Sequence, residues 1–101
     1  MIRHIVMFKF LPQADGRTKR ENVLATKDML DSLPAKIDLI RSSQTFVGAD
    51  GSADSNYDLL LISDFDSFDD LNAYIVHSDH KAVGAFMGPL RESRSCIDIE
   101  M

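Results

Sequence analysis

Cysteine is almost missing from this chain. Cys96 stands alone, which excludes an internal disulfide and any cysteine-based zinc site. A lone thiol in an apolar strand is expected to be a small buried hydrophobe. Long apolar runs are missing too, so no segment reaches transmembrane length. The opening "MIRHIVMFKFL" is interrupted by Arg3, His4 and Lys9 and lacks a small-residue cleavage site, so it reads as a strand rather than a secretory leader. The cytoplasm is the expected location. Basic runs are equally scarce. The nearest, Arg17 to Arg20, is broken by Thr18 and followed by Glu21. With 16 acidic residues against 11 basic and a net charge of −5, nucleic acid and anionic membrane are poor candidate partners. Proline occurs three times in 101 residues, which fits one domain over residues 1–101 with no linker. No repeat or low-complexity tract is present, and neither a cofactor nor a metal is expected.

What is present is an ordinary globular composition, 45% hydrophobic, distributed with clear periodicity. Ile2 to Leu11 alternates two sets, Ile2, His4, Val6, Phe8, Phe10 and Arg3, Ile5, Met7, Lys9, Leu11, and predicts a strand. Arg17 to Leu33 predicts a helix with Val23, Thr26, Leu30 and Leu33 on one face, ended by Pro34. Ile37 to Val47 predicts a second strand, "GADGSADSN" a hairpin loop, and Tyr57 to Phe65 a third strand. Ser67 is the expected N-cap of a second helix with the stripe Phe68, Leu71, Ile75. That helix is expected in two pieces, re-capped at Ser78, with His80, Val83, Met87 and Leu90 on one face joined by Phe86. Gly88–Pro89 interrupts it, and Ser93 to Met101 alternates as a last strand. The order is β-α-β-β-α-β. It predicts an α+β, ferredoxin-like fold, an antiparallel sheet with helices on one face.

Helices cover only one face of such a sheet, yet strands one and three are apolar on both. Ile5 and Met7 oppose Val6 and Phe8, and Leu60 and Ile62 oppose Leu59 and Leu61. An exposed patch of that kind is uncommon on monomers, so a second copy packed sheet to sheet is expected. A domain this small also gains from burial against a partner.

The candidate chemistry lies in "YIVHSDH", residues 74–80. Tyr74, His77 and His80 recur at spacing three, and His4 shares a strand face with Val6 and Phe8. One reading is a metal site from His4, His77 and His80, although His-x-x-His alone is a weak signal. A second is acid–base chemistry, with two histidines in different environments and a tyrosine to hold a substrate oxygen. A third is structural, with His77 capping a helix C-terminus and His80 a satisfied buried side chain. On the residues alone the structural reading leads. The side chains expected around a pocket at His4 and His80 are Val6, Phe8, Leu30, Val83 and Phe86, enclosing a small apolar or aromatic ligand.

Three segments, "IRHIVMFKF", "YDLLLISDFDSFDDLNAYIVHSDHKAV" and "PLRESRSCIDIEM", resemble the stress-responsive A/B barrel domain family in order and spacing across nearly the whole chain. The family's usual His-Pro-x-His appears here with Ser78 in place of the proline. The resemblance implies a ferredoxin-like monomer that dimerises into an α+β barrel. Most members have no established reaction. One plant member closes a polyketide chain by intramolecular aldol condensation. By similarity to it, His80 is the general base, His4 orients a carbonyl, and Tyr74 holds the substrate or the catalytic histidine. Where that enzyme has a pocket tyrosine on the first helix, this sequence places Thr26, which the resemblance adds to the expected pocket. A structural, stress-protective oligomer is the third functional expectation.

Overall fold

The alternation of the first segment is realised in the computed structural model, which describes residues 1–101. Strand β1, Ile2–Phe10, buries Ile2, His4, Val6, Phe8 and Phe10 on its inner face. The "PQADG" break is more than a loop. Strands β2, Gln13–Ala14, and β3, Arg17–Thr18, pair as a short hairpin around Asp15 and Gly16, both at positive φ. Asp-Gly at a two-residue turn is the sequence that tolerates this backbone best.

Helix α1 runs Lys19–Ser32, two residues short of the expected start, because Thr18 caps it. The Thr18 hydroxyl accepts the Glu21 N–H at 3.2 Å, and the Glu21 carboxylate accepts the Thr18 N–H at 3.0 Å. This reciprocal pair satisfies two otherwise orphaned donors. A 3₁₀ turn, Leu33–Ala35, follows at Pro34. The second sheet strand, β4, then covers only Ser42–Val47 and not the expected span from Ile37. The Ile37 and Ile40 amides are taken up by turn bonds to Leu33 and Ile37, and both side chains plug the core.

Strand β5, Leu59–Phe65, completes a hairpin with β4 across residues 48–58. Tyr57 and Asp58 stay outside it, the Asp58 carboxylate accepting the Phe10 N–H at 2.8 Å. Helix α2, Phe68–Ile75, begins at the Ser67 cap as expected. It buries Leu71 and Tyr74 and leaves Phe68 and Ile75 exposed, a rotation away from the expected stripe. Helix α3, Ser78–Met87, buries Val83 and Met87. A 3₁₀ turn, Gly88–Leu90, leads into β6, Arg91–Glu100, which starts two residues earlier than expected.

The main sheet is antiparallel in the order β4-β5-β1-β6. Its inner face carries the helices; its outer face carries none. Cross-strand register places Gln44, Ile62, Ile5 and Ile97 in one outer row and Phe46, Leu60, Met7 and Ser95 in the next. Ile97 is 58% exposed and Phe46 48%, so this apolar surface is open in the protomer. A polar row bounds it, where Asp64 accepts both Arg3 Nε at 2.9 Å and Arg3 Nη2 at 3.1 Å. That bidentate pairing with Arg3 holds the Asp64 carboxyl below its ordinary range.

Candidate functional site

Strand parity dictates what the inner face offers beside His4. Its neighbours across the ladder are Ser63 on β5 and Asp98 on β6. His4 Nδ1 and Asp98 Oδ1 lie 2.5 Å apart, and His4 is 4% exposed. An imidazole held this way has its ring orientation and tautomer set by the carboxylate. The next inner residue of β6, Cys96, puts its sulfur 3.6 Å from the same nitrogen. Cys96 is exposed on the edge strand, not buried as expected. Partial desolvation of the sulfur and the neighbouring Asp98 charge raise its thiol pKa against the opposing effect of Arg94, which disfavours a thiolate nucleophile.

His80 approaches from the start of α3. Its Nδ1 lies 3.0 Å from the Ile75 carbonyl and donates to it, which leaves Nε2 with the lone pair in the neutral ring. The helix break that delivers His80 is capped by His77, whose Nδ1 accepts the Asp79 N–H at 3.1 Å. Ser78, the expected cap, is the first helical residue. His77 thus caps an N-terminus, not a C-terminus, and its ring nitrogen is committed there.

Tyr74 joins the two histidines. Its ring centroid is 4.4 Å from that of His80 and 6.4 Å from that of His4, and Phe65 supports it at 4.8 Å. Burial raises the Tyr74 phenol to about 12, with only the Arg94 charge opposing, so Tyr74 is a neutral donor at physiological pH. Burial lowers the His80 pKa below 6.5, and the charges of His4, Arg94 and His77 lower it further against the Ile75 bond.

This shift has a stability consequence. The unfolded chain protonates His80 near pH 6.5, whereas the folded chain resists protonation to lower pH. Between those two values the unfolded state binds more protons, so stability falls as pH drops below about 6.5. The His80 ring proton should titrate below that value in NMR, and His80→Gln should flatten the stability slope there. A midpoint at or above 6.5 would contradict the burial described.

The three rings meet at a partly enclosed cavity of about 90 Å³. Val6, Phe8, Leu30, Leu61, Val83 and Met87 form its apolar wall, and Arg91 and Arg94 its exposed rim. Four of the six expected pocket neighbours therefore reach it. Thr26 does not: it is fully buried and its hydroxyl donates to the Asn22 carbonyl at 2.8 Å within α1. Phe86 does not either, because the Arg17 guanidinium covers its ring at 5.3 Å from the hairpin side. A larger, more open hollow of about 270 Å³ lies between the start of α1 and residues 47–58. It contains no histidine, and its Lys19 pairs with Asp58 at 3.5 Å.

The His4, His77, His80 metal reading finds no convergence, since His77 is spent on the helix cap. A different set, His4, Cys96 and Asp98, brings three donor atoms within 4.8 Å of one another. Its 2.5 Å nitrogen–oxygen separation is that of a hydrogen bond. Two ligands at about 2.0 Å on a tetrahedral ion stand roughly 3.3 Å apart. Asp98, Cys96, Arg91 and Arg94 are the site residues that sequence reasoning missed. For Arg94, Cys96 and Asp98 the signal was their alternation along β6, but its parity relative to His4 depends on a pairing 94 residues apart, and Arg91 joins them only through a bulge.

These features define a ferredoxin-like α+β protein with an intramolecular histidine- and tyrosine-lined cavity on the helix side of its sheet. The chain belongs to the stress responsive A/B barrel domain family, whose family model matches residues 2–101. It is similar to a dimeric protein of unknown function with a ferredoxin-like fold from Bacteroides fragilis. The two share 31% identity over 99% of this chain and 95% of that one, with a TM-score of 0.87. A dimeric ferredoxin-like protein of unknown function from Thermobifida fusca is 30% identical over 99% of this chain and 90% of that one, with a TM-score of 0.81. A hydroxynitrile lyase from Passiflora edulis, 12% identical over 99% of this chain and 92% of that one, shares the fold with a TM-score of 0.80. No curated protein matches the chain. No helix is long and apolar enough to cross a membrane.

Proposed function

We propose that this chain is a homodimer joined through its outer sheet faces, and that each protomer binds a small, largely apolar molecule in the cavity of His4, Tyr74 and His80. The observation that carries the binding reading is the convergence of three polar rings from three elements on one apolar-walled space. Few convergent polar groups in an apolar cleft are the usual composition of a small-molecule site. The homodimer is supported by the uncovered apolar rows of the sheet and by the dimeric state of two relatives of 31% and 30% identity.

A second reading, a proton-transfer enzyme of cyclase or isomerase type, is favoured by one feature. His80 has its Nδ1 anchored and its Nε2 free, with basicity lowered by burial, and its ring centroid stands 4.4 Å from that of Tyr74, whose phenol stays neutral. That is the arrangement of a general base next to an oxygen-holding donor. His4, oriented by Asp98, would then hold a carbonyl.

The test is a thermal-shift screen of small apolar and aromatic compounds against wild type and His80→Ala. Ligand stabilisation in the wild type that weakens at least about tenfold in the variant, with the fold retained, is the expected result. Hits unaffected by His80→Ala would place binding elsewhere. A full screen without hits would leave the stress-protective oligomer as the better reading.

A further inference from the structure

The rim of the cavity holds the two arginines that β6 presents to the inner face. Arg94 pairs across from Phe8, an inner residue, so its side chain shares the face of Val6 and Leu61. Arg91 lies three residues earlier and by simple alternation belongs to the opposite face. A bulge changes that. Lys9 pairs with Ser93 and Phe10 with Arg91, which leaves Glu92 as the extra residue. The insertion restores Arg91 to the inner face, and both arginines line the same cavity. Bulges beside a site commonly re-aim a side chain in this way.

Three of the six arginines are paired with carboxylates, and what distinguishes Arg91 and Arg94 among the other three is their place on the cavity. Arg3 holds Asp64 at 2.9 Å, Arg17 holds Asp15 at 3.2 Å and Arg41 holds Asp66 at 2.8 Å. Arg91 and Arg94 have no carboxylate within salt-bridge distance, in a chain with 16 acidic residues to offer. Arg20, also without one, sits on α1 away from this cavity. The nearest acid on the inner face of β6, Asp98, is engaged by His4. The charge of Arg94 reaches inward, where it lowers the proton affinity of Tyr74 and of His80. An apolar wall with an uncompensated guanidinium pair at its mouth matches a molecule with an apolar body and an anionic end.

We propose that Arg94 and Arg91 form an anion-binding subsite, and that the cavity ligand is a small carboxylate whose apolar body lies against Val6, Leu61 and Val83. This rests on the small-molecule reading above and narrows its chemical class. Size sets a further limit. A cavity of about 90 Å³ is smaller than the roughly 150 Å³ that holds benzene, so a short branched chain fits with its carboxylate in the open rim. Guanidinium and carboxylate match as planar, two-pronged partners, which an ammonium does not provide.

The experiment compares isobutyrate with its neutral isostere isobutyramide, both titrated at neutral pH. The readout is NMR shifts at Tyr74 and His80. The expected result is binding of isobutyrate about tenfold or more tighter than the amide, as a charge-assisted hydrogen bond gives. Arg94→Gln should remove most of that preference. Arg91→Gln should reduce the preference, and Arg20→Gln should not change it. Added salt should weaken isobutyrate selectively. Equal binding of acid and amide would overturn the anion subsite while leaving the small-molecule reading standing. A preference that survives Arg94→Gln with Arg91→Gln would also overturn it. No shift with either probe at millimolar concentration would remove both.

Discussion

If the protein pairs through its outer sheet faces as proposed, Ile5→Asp is expected to convert it from dimer to monomer at micromolar concentration. Ile5 occupies the middle of the outer row between Ile62 and Ile97, with Met7 and Leu60 in the row beside it. A carboxylate there must lose its water when two sheets pack, at an effective cost of several kcal/mol per ion. A two-fold interface meets the substitution from both protomers. At 1.4 kcal/mol per factor of ten, a loss of about 4 kcal/mol weakens association roughly a thousandfold. Light scattering after size exclusion reads the mass, and far-UV circular dichroism confirms that the sheet persists. Ile5→Val, which leaves an apolar side chain, should stay dimeric. An Ile5→Asp protein that remains a dimer would place the interface elsewhere.

Phe65→Ala should cost about 3–5 kcal/mol of stability, the range for deleting a buried aromatic ring. Phe65 is 0% exposed, pairs with Ile2 across the sheet, and lies 4.8 Å from the Tyr74 ring. The cavity left behind has rigid walls, β1 and β5 on one side and α2 on the other. Phe65→Leu retains most of the volume and should lose much less. Urea denaturation at fixed protomer concentration measures both, because dissociation of the proposed dimer would otherwise shift the midpoint. The same substitution should disturb the site. Phe65 supports Tyr74, and Tyr74 supports His80 at 4.4 Å, so the His80 signals should broaden or move. A loss below about 1 kcal/mol would mean that this ring is not the packed support described.

Particular residues show how much was legible in advance. The alternation of β1 was readable because each of its residues reports its own face. The two-sided apolar pattern of Ile5, Met7, Leu60 and Ile62 revealed an uncovered face without any knowledge of the partner. Ile37 and Ile40 misled because apolar residues that plug a turn look like those of a strand; only their turn hydrogen bonds separate the two. Ser78 was the better cap by type, but the backbone placed the cap one residue earlier, at His77. Tyr74, the next-to-last residue of α2, took the place of Phe68 and Ile75 as the buried partner of Leu71, because the helix turns its Leu71–Tyr74 side to the sheet. His4, Tyr74 and His80 were recognisable as candidates. Asp98 and Arg94 were not, since nothing local in β6 says which of its faces meets His4. Thr26 sat on the correct helix face but was turned into its own backbone.

Strand β6 carries two kinds of information in one run of residues. Ser95, Ile97 and Ile99 belong to the outer surface, while Arg94, Cys96 and Asp98 belong to the cavity side. Each set is correct only while the count between Glu92 and Asp98 is kept. Insertion or loss of one residue there would send Asp98 to the apolar sheet surface and an isoleucine to His4. Side chains in this strand can be exchanged one at a time, each affecting one face. A one-residue change in its length is not gradual in this way unless a bulge such as that at Glu92 absorbs it, so single substitutions are the simple way to vary the cavity and the outer sheet surface separately.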